Sequence, residues 1–168
     1  MDPMLKNLIR VGSVSAINPE KCTARVVFAD RSEVVSFELP VLVRGSLRNK
    51  DYWMPDPGEQ VVCLFLPSGN AQGFIIGSIY SERDKPPVTE GNKRHMLFSD
   101  GTVIEYDSST SKLLIDAKGS VEIDARGNVT INTADTISIT APKGITLSAT
   151  DITGTGVVIV GKGASQGW

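Results

Sequence analysis

Between residues 112 and 149 the chain repeats one short phrase: KLLIDAKGSVEIDARGNVTINTADTISITAPKGITLSA. Apolar side chains stand eight apart in two rows, Leu113, Val121, Val129, Ile137 and Ile145 in one, Ile115, Ile123, Ile131, Ile139 and Leu147 in the other. A third row holds only small side chains: Ala117, Ala125, Thr133, Ala141 and Ala149. Within each unit the three positions alternate with polar ones, which predicts a strand with one buried face that narrows at one end. Gly119, Gly127 and Asp135 fall between the units, and these residue types tolerate a left-handed backbone. Each unit reads as one short strand followed by one corner.

A lone ribbon of this kind does not bury enough. Apolar burial returns roughly 25 cal/mol per Å², whereas ordering each residue costs about 1–2 kcal/mol. Repeat units solve this by stacking on neighbours. A single-chain β-solenoid and an intertwined homotrimer are both open on this ground. A solenoid coil usually needs more than eight residues, whereas eight suffice for one strand and one corner of a triangular prism, so the trimer is expected. At a strand spacing of about 4.8 Å the repeats form a needle on the order of 30 Å long. Its outward positions run from Asp116, Lys118, Glu122, Asp124 and Arg126 to Thr130, Asn132, Ser138 and Thr140, a solvated face that loses charge toward the C terminus. Glu122 and Asp124 are read as part of this face, not as a catalytic pair. After Ala149 the register slips: Ile152 falls one residue early, and Gly154, Gly156, Gly161 and Gly163 crowd around VVIV.

The first half has a different pattern. LIRVGSVSAI, KCTARVVFA, EVVSFELPVLV, EQVVCLFLP and GFIIGSIY are rich in Val, Ile and Phe and predict five strands. Asn18-Pro19, Asp30-Arg31-Ser32 and PSGNAQG separate them, and no helical spacing occurs. Five such strands are expected to close into a small barrel, which disposes of sheet edges. The excursion RGSLRNKDYWMPDPG carries Tyr52, Trp53 and Met54, which either cap an open barrel end or form a contact surface. SERDKPPVTEGNKRH is polar and stiffened by Pro86-Pro87, hence a connector. MLFSDGTVIEYDSSTSKLLIDA then predicts a hairpin leading into the repeat, with Asp100-Gly101 as its tight turn. The organisation expected is a barrel over residues 1–81, a connector over 82–95 and a repeat domain over 96–168.

Composition adds three points. Every aromatic residue except Trp168 lies at or before Tyr106, so the repeat half has no aromatic core. The net charge of −2 gives no reason to expect nucleic acid as a partner. Cys22 and Cys63 form no metal-binding spacing and read as two quiet thiols, while the first residues lack a basic start with an apolar run, as expected of a chain made in a cytosol.

WMPDPGEQVVCLFLPSGNAQGFIIGSIYSERDKPP, followed by FSDGTVIEYD, resembles the baseplate assembly protein V family of contractile-tailed bacteriophages, which is related to the spike proteins of type VI secretion systems. The resemblance covers nearly the whole chain in its two-part order. It implies an all-β fold: an N-terminal five-stranded barrel of the oligonucleotide/oligosaccharide-binding type, then a C-terminal intertwined trimeric β-helix. It further implies a structural spike at the centre of a virion tail baseplate, assembled in the host cytoplasm and driven through the bacterial envelope on sheath contraction. The partners implied are two further copies and tail hub proteins; either the glycine-rich end with Trp168 closes the tip, or a separate tip protein sits on a blunt prism. Some members carry a His-x-His pair near the apex that binds iron; this chain has only His95, before the needle, so no metal or cofactor is expected.

Physical reasoning about the same residues agrees on mechanism, because an edge-free, fully paired prism is stiff and a smooth polar face passes a membrane without bond chemistry. The two rows from Leu113 to Leu147 are the expected trimer core, Tyr52, Trp53 and Met54 the candidate hub contact, and Trp168 the candidate tip. A single-stranded nucleic-acid-binding module would need a basic groove with stacking aromatics, and residues 1–94 are nearly neutral. A polysaccharide-degrading trimeric β-helix would need a catalytic inventory that one His and no nucleophile elbow do not supply.

Overall fold

The strongest alternation in the first half becomes strand, and the inward positions become the core. The structure is a computed structural model that describes residues 8–29, 34–67, 72–154 and 156. Its described residues form an all-β chain of nine strands: β1 (Ile9–Asn18), β2 (Thr23–Phe28), β3 (Val34–Val35), β4 (Leu39–Pro40), β5 (Gln60–Phe65), β6 (Gly73–Ser78), β7 (Lys93–Leu97), β8 (Val103–Asp107) and β9 (Lys112–Asp116). The first six form one antiparallel sheet in the order β3-β2-β1-β5-β6, with β4 also paired to β2. Val14, Ala24, Val26, Phe28, Leu39, Val61, Cys63 and Ile75 point to one side and make the core. Two irregularities bend the sheet, one beside Ser15 in β1 and one where β5 meets β6. Val41 bridges Ile75 in parallel, and the Leu42 N–H donates to the Ile75 carbonyl at 2.8 Å, which brings the chain after β4 against β6.

Gly12 is required by close approach. A Cβ there would lie 2.5 Å from the Val27 carbonyl oxygen and 2.6 Å from Val26 Cγ1, both on the neighbouring strand β2. Arg10, two residues earlier on the same side of β1, stacks its guanidinium 3.7 Å from the centre of the Phe28 ring, and Phe65 meets that ring edge-on at 5.8 Å.

The expected third strand is two short pieces. Ser36 interrupts it: its hydroxyl accepts the Val26 N–H at 2.9 Å while its own N–H donates to the Val26 carbonyl at 2.8 Å. A side chain therefore takes the place of one ladder acceptor, and Pro40 lacks the N–H to extend β4. Cys22 lies in the Pro19–Cys22 turn, not in a strand, with a left-handed φ of 52°.

β7, β8 and β9 form a second antiparallel sheet, meandering in that order. Lys93, Arg94 and His95, read from sequence as the end of the connector, are the first three residues of β7. The expected Asp100-Gly101 turn joins β7 to β8, with Gly101 at φ 87° and Asp100 Oδ1 accepting the Thr102 N–H at 2.8 Å. The chain divides into two compact units at Val121–Glu122. Among the described residues no β-ladder includes any residue after Asp116, but the backbone bends at 118–119, 126–127, 134–135 and 142–143, once every eight residues. The turn positions Gly119, Gly127 and Asp135 all lie in these bends.

Candidate interaction surface

The repeat presents its apolar side chains to solvent. All ten members of the two rows, from Leu113 to Leu147, are 51% to 77% exposed in the isolated chain. Regular corners thus exist, but the chain itself does not bury the apolar side chains between them. Apolar exposure on this scale, in rows of fixed period, marks an interaction surface.

The sheet that leads into the repeat is organised around a carboxylate. Register places His95 opposite Glu105 and Lys93 opposite Asp107. His95 Nδ1 lies 2.7 Å from Glu105 Oε2, and Lys93 Nζ lies 3.4 Å from Glu105 Oε1. An ionised carboxylate only accepts, so Nδ1 carries the proton of this hydrogen bond. The bond from His95, with help from the Lys93 charge, holds the Glu105 carboxyl below its ordinary range. Asp107 is held at about 2 by the Ser109 hydroxyl and N–H and by the Asn92 amide. Their distances to Oδ1 are 2.6, 2.8 and 2.7 Å, so one oxygen fixes the β8–β9 turn.

The Tyr52–Met54 loop lies outside the core. Its approach is ordered by a small hairpin in which Ser46 bridges Lys50 and Arg44 Nε donates to Asp51 Oδ2 at 2.7 Å. Tyr52 and Trp53 are exposed and Met54 is partly covered. Trp53 packs on Phe98, ring centres 6.0 Å apart, and with Tyr80, Lys85, Pro87, His95, Met96 and Leu97 lines an open groove of about 480 Å³. A second exposed apolar row crosses the first sheet on the side away from the core, where register aligns Ile9, Leu64 and Phe74.

Both cysteines are free thiols. Burial pushes the Cys63 thiol up to about 11, against the opposing influence of Arg10. Among the described residues no three His, Cys, Asp or Glu side chains come together as a metal site. Trp168, the VVIV segment with its later glycines and the Asp30-Arg31-Ser32 turn lie outside the described residues. The two rows read from the sequence do not include Ile104 and Tyr106, which register sets beside Ile115 and Leu113. The alternation in TVIEYD was the available signal.

No protein-family model matches the chain. It is similar to a protein named Spike protein from Escherichia phage P2, with 29% identity over 113 residues, 66% of this chain and 51% of that protein. The chain therefore spans about half the length of the curated relative it matches.

Proposed function

We propose that the chain is a structural component of a phage tail spike, built as an intertwined homotrimer. In this reading the first sheet closes through its Val41–Ile75 bridge into an oligonucleotide/oligosaccharide-binding-type barrel, and the eight-residue repeat from Leu113 onward winds with two other copies into a triangular β-helical needle. The observation that carries it is the eight-residue period shared by the exposed apolar rows and the backbone bends, and the similarity to a phage spike protein supports it. The needle acts mechanically: its strands pair along the whole length, so an axial push is borne by many hydrogen bonds, and the outward Thr, Ser and Asn give its C-terminal part an uncharged, wettable flank. It pierces the bacterial envelope on sheath contraction without catalysing a reaction, and it belongs to the virion tail baseplate. The barrel's exposed Ile9, Leu64 and Phe74, with the Trp53 loop, face proteins of the tail hub. Apolar rows of this kind suit protein docking better than nucleic acid, which needs basic side chains beside the stacking rings.

Molar mass by light scattering tests the reading. The expected value is three times the 18.0 kDa chain, and a monomer at micromolar concentration refutes it. Tight, salt-sensitive binding of single-stranded nucleic acid, or release of fragments from peptidoglycan or polysaccharide, points to a different function.

A further inference from the structure

We propose that the surface joining copies of this chain begins on the β7–β9 sheet, with a second copy seated on Met96, Ile104 and Tyr106, well before the first repeat. The inference rests on the reading of the repeat as a self-assembling prism and extends it to a part of the chain that has no eight-residue period.

Strand alternation gives this sheet two unlike faces. Register sets Arg94, Tyr106 and Leu113 side by side, then Met96, Ile104 and Ile115, so five of six side chains on one face are apolar. The other face carries Lys93, His95, Glu105 and Asp107 among its residues. An antiparallel sheet that is wet on one side normally turns its charged face to water and its apolar face to the core. Here the order is reversed. The His95 and Glu105 side chains are only 11% and 17% accessible. Ile104 and Tyr106 are 38% and 42% exposed, and Leu113 and Ile115 more so. The charged face is satisfied within the chain, by the His95–Glu105–Lys93 cluster and by the groove where His95 meets Trp53, Tyr80 and Pro87. The apolar face is the one left for something outside the chain.

What covers it follows from Leu113 and Ile115. They are the third strand of this face and also the first members of the two rows that recur every eight residues to Ile145 and Leu147. A surface that matches a fixed period over five repeats has that period itself, and a second copy of the chain does. A copy that covers Leu113 and Ile115 lies against Tyr106 and Ile104, one strand spacing of about 4.8 Å away, and against Met96 one strand further. Arg94 ends the patch: its guanidinium donates to the carbonyl of Lys93 in its own strand and of Gly91 in the preceding turn, at 3.0 and 3.5 Å, and forms a polar rim beyond Tyr106. The β7–β9 sheet thereby joins the first unit of each copy to the common core before the needle starts.

Nitration of tyrosine in the full chain, read by peptide mass spectrometry, tests this. Tyr106 is expected to react about tenfold more slowly in the native protein than in the chemically unfolded chain, a protection that partial exposure in a lone chain does not give. The mass of the same native sample separates the two failures. A trimer whose Tyr106 reacts within about twofold of the unfolded chain overturns the inference and leaves the prism standing; a monomer overturns both. Ile104→Ser provides an independent arm, expected to lower the denaturant concentration at which the copies separate, and an unchanged midpoint counts against the seating proposed here.

Discussion

Replacing Ile131 with aspartate puts a charge into one apolar row at mid-repeat. The side chain is 70% exposed in the isolated chain, so partner copies would cover most of it. Burying a whole isoleucine is worth about 1.5–3 kcal/mol, so the covered part contributes about 1–2 kcal/mol per copy and about 3–6 kcal/mol per trimer. Aspartate forfeits that and adds the cost of desolvating three carboxylates, several kcal/mol each after relaxation. Mutual repulsion around a threefold axis adds about 2–3 kcal/mol per pair at about 6 Å and an effective dielectric near 20. The sum exceeds the ~5–15 kcal/mol that holds an ordinary domain folded. Size-exclusion chromatography with light scattering at pH 7 is expected to show loss of the proposed trimer, while circular dichroism retains the β-signal of the first sheet. Thr130→Asp, one position away on the outward face, is expected to leave the mass unchanged. Because crowded, desolvated carboxyls bind protons more readily, lowering the pH toward about 4 is expected to restore part of the assembly. An Ile131→Asp protein with wild-type mass and thermal midpoint at pH 7 refutes the assignment of Ile131 to the buried side.

Three further outcomes are expected. Gly12→Ala drives a Cβ into the Val27 carbonyl and is expected to destabilise the first sheet by about 1–3 kcal/mol, seen as a lower denaturant midpoint. Asp107, held at about 2 against an ordinary 3.8, contributes stability that is full above pH 3.8 and is lost as the pH falls through about 2. The gap in unfolding midpoint between wild type and Asp107→Asn should therefore be widest near neutrality and narrow as the pH falls toward and below about 2, and a constant gap contradicts the role given to this carboxylate. Cys63, fully buried with its thiol pushed up to about 11, is expected to resist a thiol reagent in the native protein and react on unfolding.

The sequence was most legible where burial alone decides. Val14, Val26, Val61 and Ile75 alternate with outward residues, so the strands of the first sheet follow from the pattern. Its third strand was not legible because Ser36 competes for the backbone with its hydroxyl, an effect that hydrophobicity does not register. His95 looked like a solitary polar residue in a polar stretch; its partner Glu105 is ten residues away, and only the β7–β8 register brings them together. The repeat corners were legible at Gly119, Gly127 and Asp135, while the bend at 142–143 falls at Pro142-Lys143, which does not share their residue types. The aromatic groove was the least legible: Trp53, Tyr80 and Leu97 come from three separate segments, and no local pattern links them.

The eight-residue spacing of the bends also governs how such a chain can change in length. Side chains in a strand alternate between two sides, so losing or gaining an odd number of residues inverts every later position, while a whole octad leaves inside and outside as they were. Removal of residues 121–128 would bring Val129 and Ile131 to the places that Val121 and Ile123 hold now, with the bend at 134–135 standing where 126–127 had been. Length in this half of the molecule is thus a digital variable, adjustable by inheritance one repeat at a time without redesign of the contacts on either side.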